Sequence, residues 1–150
     1  MISRLLDAAD LLLEKGRRSG AFRRRAVSTA YYAVFHCLAK CSAGALLFEE
    51  DTDEYVRVYR SLDHGPLKNA FATGVLKERE TFLEIGSIVI LLQSERHKAD
   101  YLPPTSGAFG ISHVRELVDQ ARNVVAAIEQ LSPEDRRTLA AHLLFKNRTS

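Results

Sequence analysis

The chain predicts an all-α fold, an up-and-down bundle of about five to six helices forming a single domain over residues 1–150. Three observations lead there. Apolar residues recur at three- and four-residue spacing through most of the sequence, no stretch reads as a credible strand, and helix start and stop residues punctuate the pattern at regular places. A domain of this length buries about 68–70% of the surface its unfolded chain exposes, so the core needs no staple. Hydrophobic content of 46% and charged content of 27% are those of an ordinary globular protein.

Ile2, Leu5, Leu6, Ala9, Leu12 and Leu13 form the apolar stripe of a first amphipathic helix, and Gly16 is placed to end it. The second helix, from about Ser19 to Gly44, is the centre of the prediction. Between Ala26 and Ala39 its polar side chains are only Ser28, Thr29, Tyr31, Tyr32 and His36, and a helix apolar on nearly every side is normally buried among others. Its amino-terminal approach carries Arg17, Arg18, Arg23, Arg24 and Arg25, where the helix macrodipole is already positive. Each cation in the first turn costs roughly 0.3–1 kcal/mol, so the cluster wants an anion: either the acidic run Glu49 to Glu54 or a phosphate.

That acidic run suits the start of a helix bearing Tyr55, Val58, Tyr59 and Leu62, which should stop at Asp63-His64-Gly65-Pro66. Pro66 can open a short helix with Leu67, Ala70 and Phe71, ending before Gly74. Phe82, Ile85, Ile88, Val89, Leu92 and Ala99 continue helical spacing to Tyr101, where Pro103 and Pro104 end it; the apolar run SIVILL has helical flanks and belongs to this helix. After a loop of sequence TSGAFG, the run from Val114 to Leu131 gives the cleanest amphipathic pattern. Ser132-Pro133-Glu134-Asp135 then caps and starts a last helix with Leu139, Ala140, Leu143 and Leu144 on one stripe.

Composition narrows the function classes. A net charge of +2 is too mild for a general nucleic-acid binder, so the arginines matter by clustering rather than by total. The longest apolar run, Ile88 to Leu92, is too short to span a bilayer, and no signal-peptide pattern opens the sequence, so a cytoplasmic protein without membrane attachment is expected. Cys37 and Cys41 fall one turn apart on the central helix and read as packed small hydrophobes. Neither a phosphate-cradling glycine loop, nor HExxH, nor a zinc-type cysteine and histidine set is present, so no metal or cofactor is expected.

The remaining constellation is Arg96-His97-Lys98-Ala99-Asp100-Tyr101 at the end of a long helix. Four-residue spacing puts Arg96 with Asp100 and His97 with Tyr101. An arginine binding a phosphate beside an imidazole or phenol that moves a proton is what metal-free RNA cleavage requires; a plain ion pair with packed aromatics is the structural alternative. His36, amid apolar neighbours, reads as a hydrogen-bonded core residue. His64 divides between capping the short helix and assisting Arg96. Spacings of Arg57 to His64 and of Arg136 or Arg137 to His142 also occur, but with fifteen arginines and five histidines chance supplies about one or two such matches.

The order RRRAVSTAYYAVFH, an acidic break, LDHGPLKNAF and then ERHKADY before a final helix pair resembles the HEPN domain proteins. In particular it is similar to the small stand-alone branch whose long helix ends in Arg-x-x-x-Asp-Tyr. The resemblance spans about residues 3 to 130 and is most specific in AYYAVFH and RHKADY. It implies an all-α homodimer, often encoded beside a minimal nucleotidyltransferase as a toxin and antitoxin pair. It also implies, for active members, a metal-independent ribonuclease whose Arg-x4-6-His motifs from two protomers share one cleft. At the position of that histidine this chain has Tyr101, and a phenol is a poor base at neutral pH. Three readings follow. In the first, a binding module for RNA, a nucleotide or a nucleotidyltransferase uses Arg96, Asp100, Tyr101, Arg24 and Arg25. In the second, a ribonuclease uses Arg96 with His97 or His64. In the third, Arg96 and Asp100 merely tie helices together in a structural adaptor.

Overall fold

The apolar periodicity is realised as eight α-helices in the computed structural model, which describes residues 1–103 and 107–146. They are α1 (Ile2–Lys15), α2 (Gly20–Leu46), α3 (Asp53–Arg60), α4 (His64–Ala72), α5 (Gly74–Glu78), α6 (Glu80–Tyr101), α7 (Ile111–Glu129) and α8 (Pro133–Leu144), with a 3-10 turn over Gly16–Arg18. No strand occurs among the described residues, and no helix there is long and apolar enough to cross a membrane. Pro104, Thr105 and Ser106, expected to close α6 and open the next loop, lie outside the described residues.

The count of eight corrects the expected five to six. The segment after α3 breaks more often than its hydrophobic spacing suggests. Asp63 is the amino-terminal cap of α4, so His64 and Gly65 are helical and Pro66 is the third helical residue rather than the first. That position tolerates proline, because the first four N–H groups of a helix have no intrahelical acceptor. Thr73 then turns extended and Gly74, at φ +60, opens the separate helix α5, whose Leu76 is fully buried.

The chain forms two compact units, one of Met1–Val34 with Ile88–Ala126, the other of Phe35–Ser87 with Ala127–Ser150. The division falls within α2, α6 and α7. In the first unit, Leu6, Ala9 and Leu13 of α1, Ala26, Ala30 and Val34 of α2, Val89 and Leu92 of α6, and Val114, Leu117 and Ala121 of α7 are buried. Contacts run from Arg24 to Ala99, Leu102 and Pro103, and from Tyr31 and Tyr32 to Arg96. Moving forward along α2 therefore means moving back along α6, and the two helices are antiparallel here.

This pairing answers the charge problem at the start of α2. Arg24 donates to the carbonyls of Ala99 at 3.2 Å, Leu102 at 2.6 Å and Pro103 at 2.9 Å, the negative end of α6. Arg23 donates to the carbonyls of Gly16 at 2.6 Å and Phe109 at 2.7 Å. Gly16 is needed for that second arrangement. A Cβ there would lie 2.8 Å from Arg23 Cγ and 3.2 Å from its backbone nitrogen, and Arg23 is fixed by its two carbonyls. Gly16→Ala should therefore cost about 1–3 kcal/mol of stability, measured by urea unfolding. An unchanged midpoint would show that the turn can yield.

In the second unit, the Thr52 hydroxyl accepts from the Tyr55 N–H to cap α3, and the Ser132 hydroxyl accepts from the Asp135 N–H to cap α8. Leu62, Leu67, Phe71, Leu76, Phe82, Ile85, Leu139 and Ala140 are buried. Gly86 of α6 faces Phe71 of α4 so closely that a Cβ would meet three Phe71 atoms between 2.7 and 2.9 Å away. Arg136 donates to the carbonyls of Leu131 and Glu129, closing the end of α7.

Candidate anion-binding site in the first unit

Arg96 lies on α6 one turn before its end, facing the middle of α2. Its guanidinium carbon is 5.1 Å from the Tyr31 ring centroid and 5.9 Å from that of Tyr32. Each face is electron-rich and holds a cation by roughly 0.5–2 kcal/mol. Only 14% of the Arg96 side chain is exposed. Its one ion-pair partner among the described residues is Asp100, 26% exposed, at 3.5 Å from Nη1. That length is at the outer limit of a hydrogen bond. The Arg96 Nε is shielded from solvent and meets no acceptor among the described residues. Beside the two rings, a largely buried cation thus has one long carboxylate contact among the described residues to offset its desolvation.

The neighbours divide into committed and uncommitted groups. Arg24 spends its donors on the carbonyls that end α6, and its guanidinium stands 5.4 Å from the Phe109 ring. Arg25 is exposed and shares a helical face with Tyr32, seven residues on. His97 and Tyr101 are exposed, their ring centroids 4.9 Å apart, and Tyr101 keeps 68% of its surface in solvent. Glu95 is bracketed by Lys98 at 3.5 Å and His113 at 3.4 Å, a grouping that sequence reading missed because His113 lies on another helix.

Tyr31 is fully buried, and burial pushes its phenol up to about 12, with Arg96 pulling it down and Tyr32 raising it further. It cannot act as a base near neutrality. Its part is to present a ring to Arg96. No spacing signal couples residue 31 to residue 96; the apolar, aromatic character of α2 marks it only as a helix buried among others.

His64 and His36 belong to the second unit. His64 stacks on Phe35, with ring centroids 3.8 Å apart and planes at 18°. His36 Nδ1 is 2.6 Å from the Tyr59 hydroxyl. Burial lowers the His36 pKa below its ordinary 6.5 and raises that of Tyr59. The unfolded chain takes up a proton at His36 before the folded one does, so this contribution to stability is complete above about pH 6.5. It falls away as pH drops from there toward the lowered folded value. Thermal midpoints of wild type and His36→Phe between pH 7.5 and 5 should diverge in slope; parallel curves would contradict this assignment. Cys37 and Cys41 are buried, and burial raises both thiols, Cys37 to about 12, so neither is poised as a nucleophile.

No family model, no curated protein and no solved structure matches the chain.

Proposed function

We propose that the chain is a HEPN-type binding module in which Arg96 receives a phosphate of RNA or of a nucleotide. One observation carries this reading: a guanidinium with 14% of its side chain exposed is met, among the described residues, by one carboxylate only, and that at 3.5 Å. Arginine's planar fork suits two oxygens of a phosphate, and such charge-assisted contacts are about twice as strong as neutral ones. Tyr101 and His97, exposed at the same end of α6, offer rings on which a base or sugar can rest. Arg25, on the Tyr32 face of α2, supplies further positive field.

The geometry favours binding over cleavage. The phenol nearest the guanidinium is a very weak acid, and the exposed imidazole, His97, faces Tyr101 rather than pairing with Arg96. The experiment is an anisotropy titration of a labelled single-stranded RNA and of a nucleotide against wild type and Arg96→Ala, with RNA integrity read from the same samples. Arg96-dependent binding with intact RNA supports the module. RNA ending in 2′,3′-cyclic phosphate only when Arg96 is present would replace it with the ribonuclease reading. Unaltered binding with a lowered thermal midpoint would leave Arg96 as a helix tie.

A further inference from the structure

The second unit contains a cavity of about 580 Å³ bounded by α4, the start of α5 and the carboxyl end of α8. This volume lies within the roughly 300–1,000 Å³ typical of small-molecule sites. Its wall is mixed. Ala70, Val75 and Leu143 contribute apolar surface, while Asp63, His142 and Lys146 contribute ionisable groups.

Asp63 occupies the cap position of α4, yet its carboxylate accepts no backbone N–H there. A capping aspartate normally meets the N–H of the second or third helical residue. The third is Pro66, which has none. Among the described residues, Asp63, His142 and Lys146 take part in no ion pair or side-chain hydrogen bond, with one another or with any other group. A carboxylate and an ammonium therefore line one cavity without neutralising each other. Gly74 adds to the opening: at φ +60 it turns the chain into α5, and a Cβ on it would meet nothing within 4 Å among the described residues.

We propose that this cavity binds a small zwitterion with an apolar body, of the size of a dipeptide, its ammonium at Asp63 and its carboxylate at Lys146 with His142 beside it. A multiply charged anion would be repelled by Asp63, and a neutral apolar guest would displace water from both charges without replacing its contacts. An extended dipeptide spans about 7 Å between its termini, a length such a cavity accommodates. Leucine-sized side chains match the aliphatic wall.

The test titrates the full chain with leucyl-leucine, its N-acetyl form and its C-terminal amide, read by calorimetry and by NMR shifts of Val75 and Leu143. The free dipeptide should bind at least tenfold tighter than either blocked form. Asp63→Asn should erase the preference for the free amine only, and Lys146→Gln the preference for the free acid only; both residues are exposed, so folding is not at issue. Ala70→Leu, which fills the space, should weaken all binding tenfold or more. Equal affinity for the three probes, no binding at millimolar concentration, shifts mapping elsewhere, or displacement of the dipeptide by a nucleoside monophosphate would each overturn the proposal.

Discussion

Arg96→Ala should weaken RNA or nucleotide binding by tenfold or more, because a charge-assisted contact contributes about 1.5–3 kcal/mol. Its cost to folding should be smaller. The substitution removes the contacts with Tyr31 and Tyr32, worth roughly 0.5–2 kcal/mol each at most, but it also removes a shielded Nε that has no acceptor. The ion pair with Asp100 is long and partly solvated, so its loss matters little, about 0–1 kcal/mol. Binding is therefore the more sensitive readout. Asp100→Ala sharpens the distinction. If Asp100 competes with an anion for Arg96, removing it should tighten RNA binding several-fold while leaving the thermal midpoint nearly unchanged. If the pair is only a tie between turns, Asp100→Ala should leave affinity as it was.

Gly86→Ala should be the most damaging of the conservative core substitutions. The added methyl would sit 2.7, 2.8 and 2.9 Å from the δ, β and γ carbons of Phe71, distances that real side chains do not sustain. Phe71 is itself 2% exposed and has little room to retreat. Overpacking of this kind costs about 1–3 kcal/mol, and a chain of this size loses roughly 2–4 °C of thermal midpoint per kcal/mol. Phe71→Ala should be less than additive with Gly86→Ala, since it removes the γ and δ carbons and leaves only the β carbon in the collision. An alanine variant melting with wild type would mean that α4 shifts freely against α6, contrary to the packing described.

The long helices were readable because their periodicity is local. The stripe of α1, the cleanly amphipathic α7, the serine cap of α8 and the helical flanks that claimed the SIVILL run for α6 all express interactions within a few residues. Where the backbone changes direction for tertiary reasons, local spacing failed. Nothing near Gly74 announces α5, which buries Leu76, and Asp63-His64-Gly65 reads as a stop because proline is commonest at the first helical position, whereas Pro66 is the third. At the candidate site, the four-residue spacing brought Arg96 to Asp100 and His97 to Tyr101. The tyrosine faces against Arg96 and the carbonyls that engage Arg24 come from residues 64 to 79 positions away. The arginine cluster had suggested an anion as the remedy for charge at a helix start; for Arg23 and Arg24 the remedy is backbone carbonyls, a partner invisible to any reading of side chains.

The most direct measurement is an NMR titration that follows the arginine Nε–Hε signals as a short single-stranded RNA is added. The Arg96 signal should shift and its hydrogen exchange should slow along the same isotherm as RNA binding, while the Arg23 signal, whose Nε already donates to the Phe109 carbonyl, stays in place. An Arg96 signal that does not move at saturating RNA would contradict a phosphate at this guanidinium.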